Sequence, residues 1–242
     1  MPSELRVPRP KTGERATYAY ERMRHLIVHG AFEPGARLIE TDLAHRLGVS
    51  RTPVRSAVQR LAQEGFLVTR DEGVQARPRV APLTKEDARE VFEVLGVLEG
   101  LAASRAAALS WRKRAAVVER LEEANVLLAD APNESGDGGE AFFNRDHAFH
   151  TVYMEAGAGP RLGSIHAANI PHSERYIRVY VKHLHNTIAT SVREHDMIID
   201  AIRAGDAEGA RNAVIRNFAN ACERLADIIE DVGEDVSEEP HD

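Results

Sequence analysis

The chain has 242 residues, 43% of them apolar and 29% charged, which is enough for a core in each of two domains and too much apolar content for a disordered protein. Its formal charge is −7, yet residues 1–80 hold 14 Lys/Arg against 9 Asp/Glu and leave 17 against 29 to the remainder, a basic head on an acidic body. A single cysteine, Cys222, excludes an intrachain disulfide, and without an apolar leader or a run of about 18 apolar residues the expectation is a cytoplasmic protein with no membrane span.

Residues 1–12 carry three prolines and four charges and read as a flexible arm. A helix is expected from Glu14 to His29, with Tyr20, Met23 and Ile27 on one face and Gly30 at the stop. Phe32 to Gly35 forms a turn, and Arg37-Leu38-Ile39 is a candidate strand. Leu43, Ala44 and Leu47 then give a short helix one apolar stripe, and Gly48 ends it. Ser50 can cap the next helix, where Pro53 is tolerated because the first turn needs no intrahelical N–H. Val54, Ala57, Val58 and Leu61 form its buried stripe. Its other face shows Arg51, Thr52, Arg55, Ser56, Gln59 and Arg60, with no acid until Glu64. Such a face at a helix N-terminus suits phosphates and base edges in a major groove. Two short extended runs flank Asp71-Glu72-Gly73, the turn chemistry of a hairpin and a candidate wing.

The run from Gly35 through Leu43-Ala44, Leu47 to Arg55, Leu61 and Glu64-Gly65 resembles the winged helix-turn-helix of the GntR family of bacterial transcription regulators. That resemblance implies a domain over residues 13–80 in which Arg51 and Arg55 are the main DNA contacts. Ser50 and Thr52 would help on the backbone, and the wing tip at Gly73 would approach the minor groove.

Pro78 and Pro82 bracket an extended linker, after which Thr84 caps a long helix whose first turn is acidic. Helices are expected over about 85–109, 111–130, 139–156, 160–184, 187–204 and 206–232, with breaks at Ser110, Pro132–Gly139, Gly157–Gly159, Asn186 and Gly205. No β-branched alternation occurs in this half, so the fold class is mainly α, an all-α antiparallel helical bundle following the winged head. Residues 233–242 are an acidic tail. The run from Leu83 to Ala107 is similar to the opening of the FCD domain, the effector-binding and dimerisation domain of the FadR-type branch of the same family, here over residues 81–232. The sequence departs at Leu95, where many relatives carry Arg. Val94, Leu95, Leu98, Leu101 and Ala102 make the first long helix apolar over a wide arc, a candidate homodimer surface and equally a core arc.

Asp146 and His150 lie at i, i+4 and so share a helix face, and His195 stands on another helix. Carboxylate with neutral imidazole suits a divalent ion such as Zn, Ni or Mn, while an Asp/His pair at this spacing is also a common surface hydrogen bond. By the resemblance, Asp146, His150 and His195 match three of four metal positions of FCD domains, and Asn217 stands where the fourth, a histidine, is usual. An amide oxygen makes it a weak or lost ligand. His172, Arg175 and Arg178 follow Pro171 and could hold an effector carboxylate. The expected function is a sequence-specific DNA-binding regulator, not an enzyme, that binds operator DNA as a homodimer and responds to a small anionic metabolite. The alternative is a metal-dependent hydrolase of HD type using Asp146, His150, His195 and Asp196.

Overall fold

The computed structural model describes residues 11–69, 78–131, 138–180 and 187–235. The chain divides into two compact units, Met1–Leu83 and Thr84–Asp242. In the first, a 3-10 turn at Thr12–Glu14 leads into α1 (Arg15–Val28), followed by α2 (Glu40–Leu47), α3 (Arg51–Gln63) and the antiparallel strands β1 (Leu67–Thr69) and β2 (Pro78–Val80), with Leu67 opposite Val80. The expected stripes are the buried ones: Tyr20, Met23 and Ile27 meet Leu43, Ala44, Leu47, Val54, Ala57, Val58 and Leu61 in one core. Gly48 ends α2 in the left-handed conformation at φ 65°, which a Cβ would oppose.

Two local expectations change. The strand at Arg37-Leu38-Ile39 reduces to a bridge between Arg37 and Arg79, with the Leu38 N–H donating to the Pro78 carbonyl at 2.9 Å, because α2 begins at Glu40 and leaves no residues to extend it. Ser50 occupies the N-cap position of α3 in extended backbone, but its side chain makes no capping hydrogen bond. The wing tip at Gly73 lies outside the described residues.

The second unit contains α4 (Lys85–Ala107), α5 (Trp111–Ala129), α6 (Gly138–Gly157), α7 (Pro160–Tyr180), α8 (Thr187–Ala204) and α9 (Ala207–Asp235). The Thr84 hydroxyl caps α4 by accepting from the Asp87 N–H at 3.2 Å. α4 is the central element and packs against α6, α7, α8 and, most extensively, α9. That approach is close because Gly96 and Gly100 face α9: a Cβ on Gly100 would lie 3.1 Å from the Arg211 carbonyl oxygen. Leu95 and Ala102 are fully buried in this unit, whereas Val94 and Val97 are exposed. Tyr176 of α7 is also fully buried, and its hydroxyl donates to Asp87 Oδ2 at 2.6 Å and accepts from the Thr84 N–H at 3.1 Å. Among the described residues no helix is long and apolar enough to cross a membrane.

Candidate DNA-binding face and buried histidine site

The first turn and the outer face of α3 present Arg51, Thr52, Arg55, Ser56, Gln59 and Arg60, all exposed, as does Ser50 before them. They do not all remain available. Arg60 donates through Nε to Glu64 Oε1 at 2.9 Å and lies 3.6 Å over the Tyr20 ring, while the Tyr20 hydroxyl donates to Glu64 Oε2 at 2.7 Å. Arg60 is therefore a strut that ties α3 to α1. Arg51 and Arg55 keep side chains 61% and 59% exposed, and both approach Glu40 on α2. Arg55 Nη2 is 3.3 Å from Glu40 Oε2 and Arg51 Nη2 is 3.7 Å from the same oxygen.

Within the second unit, α6 brings Asp146 and His150 to face His195 of α8. His150 Nε2 lies 3.7 Å from Asp146 Oδ2, and His195 Nε2 lies 3.5 Å from Asp146 Oδ1. One ligand atom from each of the three falls within 4.8 Å of the other two, a grouping that could hold a metal ion. The opposite ring nitrogens are held from behind. Glu99 of α4, 1% exposed, takes His150 Nδ1 at 2.6 Å on Oε2, the Tyr153 hydroxyl on the same oxygen, and His166 Nε2 at 2.6 Å on Oε1. Asn125 of α5 donates its amide hydrogens to the Val192 carbonyl (3.1 Å) and Asp196 Oδ1 (2.9 Å), so its Oδ1 is the acceptor that meets His195 Nδ1 at 3.2 Å. That geometry places the His195 proton on Nδ1 and leaves Nε2 a lone pair. Nε2 is buried with no hydrogen-bond partner among the described residues.

The titration behaviour follows from these contacts. Burial would raise Glu99, but the charge of His150 and the hydrogen bonds of His150 and His166 outweigh it and hold the carboxyl far below its usual range. Burial works against charge on His150, and the adjoining Glu99 and Asp146 carboxylates overcome it and raise the imidazole. His195 is pushed well down, first by burial and then by the neighbouring His150 charge, so it is neutral. Asp146 is raised, chiefly by burial. A neutral imidazole with a bare buried nitrogen, beside a carboxylate and a second oriented imidazole, is a donor set that fits a divalent cation.

A cavity of about 60 Å³ opens on this group, lined by Asp146, His150, Asn217, Ser173, Ser191 and Arg224 among others. This is room for several water-sized groups, since one needs roughly 10–15 Å³ on the same measure. Asn217 donates Nδ2 to Glu194 Oε2 at 2.9 Å, and Arg224 grips both oxygens of Glu194 at 2.9 and 3.2 Å.

Residues 15–74 match the bacterial regulatory proteins of the gntR family, and residues 90–220 match the FCD domain. The chain is a GntR-family transcription regulator. It is 32% identical over 198 residues to the HTH-type transcriptional regulator in unstable DNA locus of Streptomyces ambofaciens, covering 81% of this chain and 78% of that one. With the HTH-type transcriptional regulator YdhC of Bacillus subtilis it shares 26% identity over 88% of its own length and 91% of the relative's. Among solved structures, Escherichia coli McbR/YncC superposes with a TM-score of 0.66 at 23% identity, covering 88% of the regulator and 97% of that chain, a likeness of fold.

The sequence-predicted residues of the regulator fall into three groups. Asp146, His150 and His195 come together, and Asn217 lines the same cavity. His172, Arg175 and Arg178 are not among the cavity's lining residues: Arg175 is 3% exposed elsewhere on α7, and Arg178 pairs with Glu174 at 2.6 Å and flanks the Phe143 ring. Asp196, required by the hydrolase alternative, accepts from Asn125 and stands outside the metal grouping; the family is one of regulators, not enzymes. Sequence reasoning missed Glu99, Asn125, Tyr153, His166 and Arg224. Glu99 carried a signal: it falls on the buried stripe of α4 with Leu95, Ala102, Ala103 and Ala106, where an unpaired acid would be costly.

Proposed function

We propose that the regulator reads operator DNA through the α3 face, with Arg51 and Arg55 at base edges or phosphates, Ser50 and Thr52 on the backbone and the Gly73 wing alongside. It acts in the cytoplasm as a homodimer, since one winged head buries too little surface for tight specific binding. Asp146, His150 and His195 hold a divalent ion such as Zn, Ni or Mn, with Asn217 as a weak fourth position. A small carboxylate metabolite enters the cavity, takes an open position on the ion and shifts the affinity for DNA. When bound, the ion would add positive charge beside the Asp146 and Glu99 carboxylates, in a cavity that Arg224 also lines. The domain limits proposed are 13–80 for the head, 81–232 for the helical part, and 1–12 and 233–242 for the arm and tail.

The observation that carries the metal reading is the buried Nε2 of His195, which faces Asp146 and has no hydrogen-bond partner among the described residues. Arg224 supports the anionic effector, because it is the arginine among the cavity's lining residues, and a ligand carboxylate would share it with Glu194. His172, Arg175 and Arg178 stand on α7, the helix that supplies Ser173 and Ile177 to the cavity wall, but are not among its lining residues, so Arg224 is the better candidate for the effector carboxylate.

Calorimetric titration of chelator-treated protein with Zn, Ni and Mn, with and without added carboxylates, tests this reading. Saturable binding that His150→Ala abolishes is expected. At about 100 times its dissociation constant, the ion should stabilise the fold by roughly 2.7 kcal/mol. No heat and no thermal shift with any of the three would end the metal reading. Sedimentation showing a monomer at micromolar concentration with DNA present would end the dimer.

A further inference from the structure

We propose that Glu40 is a positioning residue for operator reading, one that gathers Arg55 and Arg51 on a single carboxylate oxygen and so sets sequence discrimination. The proposal rests on the reading of α3 as the DNA-contacting helix. Glu40 opens α2 and is itself held: it sits in the first helical turn, where the backbone dipole favours an anion, and its side chain is 24% exposed. From there it reaches across to α3, accepting from Arg55 Nη2 at 3.3 Å and lying 3.7 Å from Arg51 Nη2. The two arginines stand one helical turn apart, so the same oxygen restrains both.

The consequence is chemical as well as geometric. Each guanidinium has five N–H donors, and Glu40 engages one nitrogen of each, leaving the remaining edges available for a bidentate pair with a purine. Two long, flexible cations that would otherwise seek any phosphate are pre-oriented and partly neutralised. Glu40 therefore lowers affinity for arbitrary DNA while preserving the geometry that a correct base rewards. A bystander carboxylate would do only the former.

The test uses the full chain, the duplex it selects from a random pool, and a scrambled duplex of equal composition, followed by fluorescence anisotropy. Glu40→Gln should strengthen binding to the scrambled duplex and lower the selected-to-scrambled affinity ratio by about threefold or more. Glu40→Asp keeps the charge but shortens the reach, so the ratio should fall without stronger scrambled binding. In an Arg51→Ala/Arg55→Ala background, Glu40→Gln should leave the ratio unchanged, because nothing remains to position. Circular dichroism melts of each variant matching the parent guard against misfolding.

Two results overturn the proposal. If Glu40→Gln strengthens both duplexes equally, Glu40 is a bystander charge. If it still lowers the ratio in the arginine-free background, Glu40 reads a base itself. An intact ratio in Arg51→Ala/Arg55→Ala alone would remove the α3 reading, and this proposal with it, by a separate arm.

Discussion

At the scale of single residues, the buried site is governed by one carboxylate that is not itself a candidate ligand. Glu99 accepts from His150, Tyr153 and His166 together. Replacing it with Gln strips the charge that two imidazoles share, so the fold should lose about 3–5 kcal/mol, as when one partner of a buried ion pair is removed. Metal affinity should also fall by roughly 10- to 100-fold through loss of His150 orientation. Urea unfolding and calorimetry check the two effects, and an unchanged urea midpoint would contradict this account. In the metal-free protein the two histidines oppose each other in pH. His150 is raised above 6.5 in the fold, so its contribution is complete below 6.5 and is lost as pH climbs through the raised value. His195 is depressed, so its contribution is present above 6.5 and is lost as pH falls from there toward the lowered value. Stability from this pair should therefore peak near 6.5, and His195→Gln should flatten the acid side alone in a series of urea midpoints against pH. An acid limb as steep in the variant as in the parent would refute the assignment. Asp146 and His150 were legible in the sequence because helix periodicity alone places i and i+4 together. The partners of Glu99 and Asn125 were not, because each meets its histidine from 51 or 70 residues away, a separation that no periodicity encodes.

At the scale of elements, boundaries were legible wherever a local device sets them. Thr84 caps α4 and Gly48 closes α2 as the sequence indicates, since both effects act within one turn. The third strand failed because sheet pairing is decided by the start of α2, not by the residues 37–39 themselves. Spacing between helices was equally hidden. Gly157 at the end of α6 packs so closely on α4 that an added Cβ would sit 2.0 Å from the Ala102 carbonyl oxygen, whereas Gly163 in α7 has nothing within 4 Å. Gly157→Ala should destabilise by about 1–3 kcal/mol through overpacking. Gly163→Ala should stabilise by about 0.4–1 kcal/mol, because it reduces unfolded-state freedom at a helical position. Thermal or urea denaturation of the two variants should move in opposite directions, and a stabilised Gly157→Ala would show that the α4–α6 contact is looser than described.

At the scale of the whole molecule, the basic head and acidic body act through screening. Specific binding should weaken steeply with salt as counterions leave several phosphates, with a log–log slope reduced by about one on removal of one phosphate-contacting arginine. Anisotropy between about 50 and 200 mM salt measures it; a flat response would contradict phosphate contact. The acidic second unit should add little to that slope, because its surplus of Asp/Glu repels the same phosphates.

The tie between Tyr176 and Thr84 has a bearing on exchange kinetics. The amides at the start of a helix ordinarily lack intrahelical acceptors and trade their hydrogens with solvent quickly. The Thr84 amide, at the point where the chain passes into its second unit, instead donates to a hydroxyl on a helix 92 residues further on. Its deuterium uptake should therefore depend on the contact between α4 and α7 and not on the start of α4 alone. Ser173 and Ile177, which line the cavity, flank Tyr176 on that helix. A ligand that tightens α7 against the cavity should therefore slow exchange at this one backbone amide.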